Sequence, residues 1–113
     1  MENNQELVKS ICCKLNEKKG RDIRLVKVEK ITTVTDYFII VTADSASHME
    51  ALVNVIEEIT SKNHIQSSRQ GKKNWILIDC NDFVVHIFDE KTRLFYMLER
   101  IWADGEDISW EEF

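Results

Sequence analysis

The chain has 113 residues, of which 43% are hydrophobic and 31% charged, with a formal net charge of −5. That size and balance fit one soluble globular domain with a single core, and exclude a disordered or fibrous chain. No apolar run approaches the ~20 residues of a membrane helix, and the charged N-terminal stretch MENNQELVKSICCKLNEKKG does not read as a signal peptide, so a cytoplasmic protein is expected.

Charge is unevenly placed. Residues 103–113, ADGEDISWEEF, hold five acids and no base; the other 15 acids balance the 15 bases of residues 1–102. The expected organisation is therefore a domain over residues 1–104 and an acidic tail over 105–113. A neutral body with an acidic tail argues against an overall electrostatic grip on nucleic acid. It is compatible with docking to a basic protein, or with a solvated tail that aids solubility. Cys12, Cys13 and Cys80 lack metal-site or disulfide spacing and are expected as free, partly buried thiols.

In chain order, Leu7, Ile11, Cys12 and Leu15 recur at helical spacing and predict a helix over residues 4–19. Ile23, Leu25, Val26 and Val28 alternate with charge as a strand. Asp36 to Ala43 is nearly continuously apolar and β-branched, as suits a strand buried on both faces. Ser47 and Glu50 have capping-box spacing ahead of a helix over about 48–62 that carries Met49, Leu52, Val55, Ile56 and Ile59 on one face. Residues 63–74 are polar and loop-like, with a short strand possible at Ile65. Trp75–Asp79 and Phe83–Phe88 read as strands joined across Asn81-Asp82 in a hairpin turn. Leu94, Met97, Leu98, Ile101 and Trp102 then make the inner stripe of a last helix, leaving Arg93, Tyr96 and Arg100 on another face. The order gives an α/β domain with a mixed β-sheet flanked by helices.

Several polar groups stand in the stretch from Trp75 to Trp102 where a plain core has none. Asp79 and Asp82 flank a tight turn and offer a carboxylate pair for Mg²⁺, the basis of a rival reading as a minimal nucleotidyltransferase. That chemistry wants a Gly-Ser phosphate-holding turn, and here Gly20, Gly71 and Gly105 each stand alone, with no P-loop. Asp and Asn are also ordinary turn residues. His86, mid-strand, reads either as a general base or as a hydrogen-bonded buried histidine. His48 and His64 are expected to be exposed. Arg93, Tyr96, Glu99 and Trp102 on the last helix read as ordinary surface and core edge, or as a recognition face of the kind that large aromatics and arginine form.

At these residues the chain resembles a known family. Asp36-Tyr37-Phe38, Trp75-Ile76-Leu77-Ile78-Asp79, Val84-Val85-His86-Ile87-Phe88 and Arg93-x-x-Tyr96-x-Leu98-Glu99-x-x-Trp102 are similar in order and spacing to the ribosomal silencing factor (RsfS/YbeB/Iojap) family, across about residues 5–104. The resemblance implies a nucleotidyltransferase-like fold without the catalytic motif, and hence no enzyme and no cofactor. It implies binding to the large ribosomal subunit through large-subunit ribosomal protein fourteen, which sterically blocks association with the small subunit and represses translation under nutrient limitation. On that basis Trp75, Asp79, Tyr96, Glu99 and Trp102 are the expected contact residues, supported by Asp36, His86 and Arg93. A homodimer through the aromatic helix is a further expected association; neither a membrane nor a specific nucleic acid is expected as partner. Asn81 stands where the family commonly has glycine, a substitution Asn tolerates because it accepts φ > 0. Thr42-Ala43-Asp44 replaces a typical Thr-Gly, and Gln70-Gly71 replaces Glu-Gly.

Overall fold

The computed structural model describes residues 4–29, 35–72, 74–96 and 105–111, with the side chains of 4, 72, 95 and 96 left out. Helix α1 (Asn4–Glu17) leads into β1 (Arg21–Lys27) and β2 (Tyr37–Ala43), followed by α2 (Ala46–Lys62). Then come β3 (Ser68–Lys72), β4 (Trp75–Asp79), β5 (Phe83–Asp89), α3 (Glu90–Tyr96) and β6 (Glu106–Ile108). Six strands form one mixed sheet in the order β3-β4-β5-β2-β1-β6, in which β2 and β5 are parallel and all other neighbours antiparallel. This is the expected α/β architecture. None of the described helices is long and apolar enough to cross a membrane.

The two central strands dictate the core. Tyr37, Ile39, Val41 and Ala43 of β2 and Phe83, Val85 and Ile87 of β5 turn toward α1 and α2, where Val8, Ile11, Leu15, Met49, Leu52 and Ile56 close over them. Alternation then sends Phe38, Ile40, Thr42, Val84, His86 and Phe88 to the opposite face. There Val26, Val28, Ile40 and Phe88 form a smaller buried cluster, with Phe38 and Trp75 packed beside it. Helix α3 lies on this second face, contacting β5 and β2. Both central strands therefore carry apolar residues on successive positions, as expected for strands buried on both sides.

Four expectations change. The cap of α2 is Ser45, not Ser47: its hydroxyl accepts the His48 N–H at 3.1 Å, two residues earlier than the Ser47–Glu50 pattern predicts. His48 is half-buried rather than exposed, because Nδ1 accepts the Asp44 N–H and Nε2 meets the Lys18 carbonyl, both at 2.8 Å, which ties the start of α2 to the end of α1. The expected loop over 63–74 contains β3, an edge strand exposed from Ser68 to Gly71 that leaves no apolar alternation to detect. The acidic segment is not simply a solvated tail. Glu106–Ile108 extends the sheet beside β1, Asp107 accepts two bonds from Arg24 at 2.7 Å, and the Trp110 indole N–H donates to the Ile23 carbonyl at 3.1 Å.

Other expectations hold. All three cysteines are free, with Cys12 and Cys80 buried. Asn81 has φ +71, the left-handed conformation inferred for it from the glycine it replaces. Ala43 is the buried last residue of β2 and does not take positive φ, so the missing glycine there costs no strain.

Candidate functional site

Three cross-strand rows organise the second face of the sheet. Trp75, Phe88 and Thr42 form one row, Leu77, His86, Ile40 and Arg24 the next, and Asp79, Val84, Phe38 and Val26 the third. The register brings Trp75 and His86 together, because diagonal neighbours on one face lie within reach of long side chains. The Trp75 indole N–H donates to His86 Nδ1 at 3.3 Å. Phe38 meets the imidazole edge-on at 5.0 Å and 86°, Phe88 lies nearly parallel to it at 6.0 Å, and Trp75 leans on Phe88 at 4.9 Å. Phe38 was not singled out from sequence as a site residue; its parity with Ile40 on β2 was the signal that placed it on this face.

His86 is 5% exposed, and burial pushes its pKa down to about 4 from an ordinary 6.5. The ring is therefore neutral at pH 7. With Nδ1 accepting from Trp75, its proton sits on Nε2. A histidine so hard to protonate is a weak general base near neutrality. The geometry matches the hydrogen-bonded buried histidine among the two sequence readings.

Asp79 and Asp36 lie at the opposite end of the strands from Trp75. Four residues along β4 separate Trp75 from Asp79, roughly 13 Å at strand rise. Asp79 Oδ1 accepts the Asn81 N–H at 2.9 Å, an Asx turn that shapes the hairpin, while the Asp36 backbone N–H donates to the Asp82 carbonyl at 3.0 Å. These contacts gather Asp36, Asp79 and Asp82 at one end of the sheet. Asp79 and Asp36 are half-buried and Asp82 is exposed, so three acidic residues stand together at this end of the sheet. Among the described residues, no group of three or more His, Cys, Asp or Glu is placed to hold a metal ion. Asp79, one member of the Asp79–Asp82 pair, is engaged by the backbone of its own turn.

On α3 the expected faces are reversed. Arg93 is 6% exposed and donates to the Thr42 hydroxyl at 2.6 Å, whereas Leu94 is 69% exposed. The helix begins at Glu90, with Asp89 Oδ1 accepting the Thr92 N–H at 2.8 Å, and this start sets which residues point inward. Arg93 is therefore an internal anchor between α3 and β2. Tyr96 closes α3, and its side chain lies outside the described set; Glu99 and Trp102 lie outside the described residues.

The family model described as "Ribosomal silencing factor during starvation" matches residues 1–113. The chain is 30% identical over 106 residues to the ribosomal silencing factor RsfS of Bacillus subtilis, covering 91% of this chain and 90% of that one. It is 34% identical over 95 residues to the chloroplastic protein Iojap of Zea mays, covering 82% of this chain and 42% of that one. Among solved structures, a Chromobacterium violaceum protein superposes with a TM-score of 0.84 at 29% identity, covering 96% of this chain and 92% of that one. A Bacillus halodurans protein superposes with a TM-score of 0.80 at 26% identity, covering 94% and 99%. With the family model spanning every residue and the fold shared throughout, the chain belongs to the ribosomal silencing factor family.

Proposed function

We propose that this protein is a non-catalytic ribosomal silencing factor. It docks on the large ribosomal subunit through large-subunit ribosomal protein fourteen, sterically prevents the small subunit from joining, and so represses translation when nutrients are limiting. Family membership supports the ribosome as partner, and a mouse relative 27% identical over 95 residues is named for mitochondrial assembly of the ribosomal large subunit.

The observation that carries the docking reading is the second sheet face. Half-buried Phe38 and Trp75 supply apolar contact area, and Asp36, Asp79 and Asp82 add negative charge at one end of the sheet. Aromatic area gives desolvated contact, and a carboxylate group of this kind selects and steers a basic protein. A steric blocker needs a shaped surface and no proton transfer, which agrees with a neutral His86 and with Asp79 engaged in its own turn. Tyr96, the last residue of α3, and Glu99 and Trp102 after it in sequence complete the proposed contact set. Arg93 supports it from inside by fixing α3 to β2.

Co-sedimentation with isolated large and small subunits at two salt concentrations tests this reading. Wild-type protein should pellet with large subunits only, more weakly at high salt, and should reduce their joining to small subunits in a gradient. Asp36→Lys, Tyr96→Ala and Glu99→Lys should each abolish pelleting while leaving the thermal unfolding midpoint within a few degrees. Unchanged pelleting of all three variants would remove the site assignment, and undiminished subunit joining would remove the blocking function.

A further inference from the structure

The Trp75 indole presents an unusual face to a partner. Its ring has one polar atom, Nε1, which donates and cannot accept. That N–H points into the protein at His86 Nδ1, 3.3 Å away, and His86 is itself 5% exposed. Trp75 is half-buried, so part of its surface reaches solvent while its donor is engaged inside. The imidazole is fixed in turn by Phe38 edge-on and Phe88 in parallel. A neutral imidazole with Nδ1 unprotonated is required, since a protonated Nδ1 would oppose the indole N–H donor to donor.

We propose that His86 is a positioning residue for docking: by accepting the Trp75 N–H it locks the indole so that only carbon surface faces the partner, selecting an aliphatic or cationic side chain of a basic protein. The inference rests on the docking function proposed above and adds the chemistry of the group that meets Trp75. An indole face attracts a lysine or arginine cation; Asp36 and Asp79, roughly 13 Å away at the other end of the strands, add only a screened, longer-range preference for a basic partner. Were the ring free to turn outward, its N–H would instead demand an acceptor from the partner, and burying it without one would weaken binding.

The decisive pair of variants is His86→Phe, which keeps an aromatic ring and removes the acceptor, and His86→Asn, whose Oδ1 stands near the place of Nδ1. In ¹⁵N-correlated spectra the Trp75 indole N–H resonance should shift in His86→Phe and return toward the wild-type position in His86→Asn. Affinity for large subunits should fall roughly tenfold in His86→Phe, the scale of one lost hydrogen bond, and recover in His86→Asn. Wild-type affinity in His86→Phe alongside a shifted indole resonance would overturn the proposal. In the unaltered protein the Trp75 indole proton should exchange slowly with solvent; exchange at the rate of a free indole would overturn it without recourse to any variant. Failure of wild-type protein to bind large subunits would instead sink the docking function itself, a result visible before any His86 variant is made.

Discussion

Arg93 reaches from α3 to the Thr42 hydroxyl on β2, 2.6 Å away and 51 residues apart in sequence, with the guanidinium buried. This bond pins the short helix to the parallel pair at the centre of the sheet. Arg93→Ala should therefore destabilise the fold by about 2–3 kcal/mol, through lost packing of the stem and a hydroxyl left without its donor. Thr42→Val, nearly isosteric, should cost about 1–2 kcal/mol by leaving a buried cation one acceptor short. The two changes should be less than additive, because each removes the same bond. Urea unfolding of the two single variants and the double variant measures this; strict additivity would show that the bond contributes nothing.

His86 predicts a specific acid response. Its pKa is lowered on folding to about 4 from 6.5, so the unfolded chain binds the proton more readily between those values. The contribution of the neutral ring is thus fully present above pH 6.5 and is lost as pH falls toward 4. Across that window the loss from this group is about 3 kcal/mol. Unfolding free energies measured at pH 7, 5.5 and 4 should show this fall in the wild type and a flatter profile in His86→Phe. Equal slopes in the two proteins would mean that other groups govern acid stability.

What the sequence discloses follows what burial imprints on it. Trp75–Asp79 is read with its observed bounds, and Tyr37–Ala43 and Phe83–Asp89 each to within one residue, because central strands require apolar residues throughout. Ser68–Lys72 escapes for the opposite reason: an edge strand with both faces wet carries the polar and basic residues that discourage further pairing. The inward turn of Arg93 escapes too, since hydropathy assigns arginine outward and only the helix start at Glu90 and the Thr42 hydroxyl decide otherwise. Trp75, Asp79 and His86 were legible as unexpected aromatic and polar groups on the sheet. The Trp75–His86 bond was not, because it depends on strand register, which places residues 11 apart side by side.

The hairpin turn offers a test that separates architecture from docking. Asn81 holds φ +71, and its N–H is accepted by Asp79 Oδ1. Asn81→Gly should be neutral or slightly stabilising, whereas Asn81→Val should cost about 1–2 kcal/mol, since a β-branched residue is strained at positive φ. Asp79→Asn keeps an oxygen acceptor for the turn and removes the charge. It should leave the unfolding midpoint nearly unchanged while weakening large-subunit binding and its salt dependence. Loss of stability without loss of binding would assign Asp79 to the turn alone.

The C-terminal acidic segment gives the sharpest contrast between composition and structure. A solvated tail can be removed without effect on stability, but residues 105–111 complete the edge of the sheet. Leu25 pairs with Ile108 and Lys27 with Glu106, and Trp110 packs against the main core while its indole N–H caps the Ile23 carbonyl. That carbonyl lies in the bulge of β1, where Asp22 takes φ 49 and the pairing with β2 slips between Arg21 and Arg24. Trp110 thus holds the irregular start of β1, and β6 covers backbone groups of β1 that would otherwise be an open edge. Trp110→Ala should lower stability by about 2–3 kcal/mol, and truncation after Asp104 by at least as much. Asp107→Asn should cost under about 1 kcal/mol, because the Arg24–Asp107 pair is solvent-exposed and screened. Thermal unfolding of the three variants checks that ranking. Hydrogen exchange should show faster opening of Leu25 to Lys27 in the truncated chain, and unaltered exchange there would return the segment to the role of a passive tail.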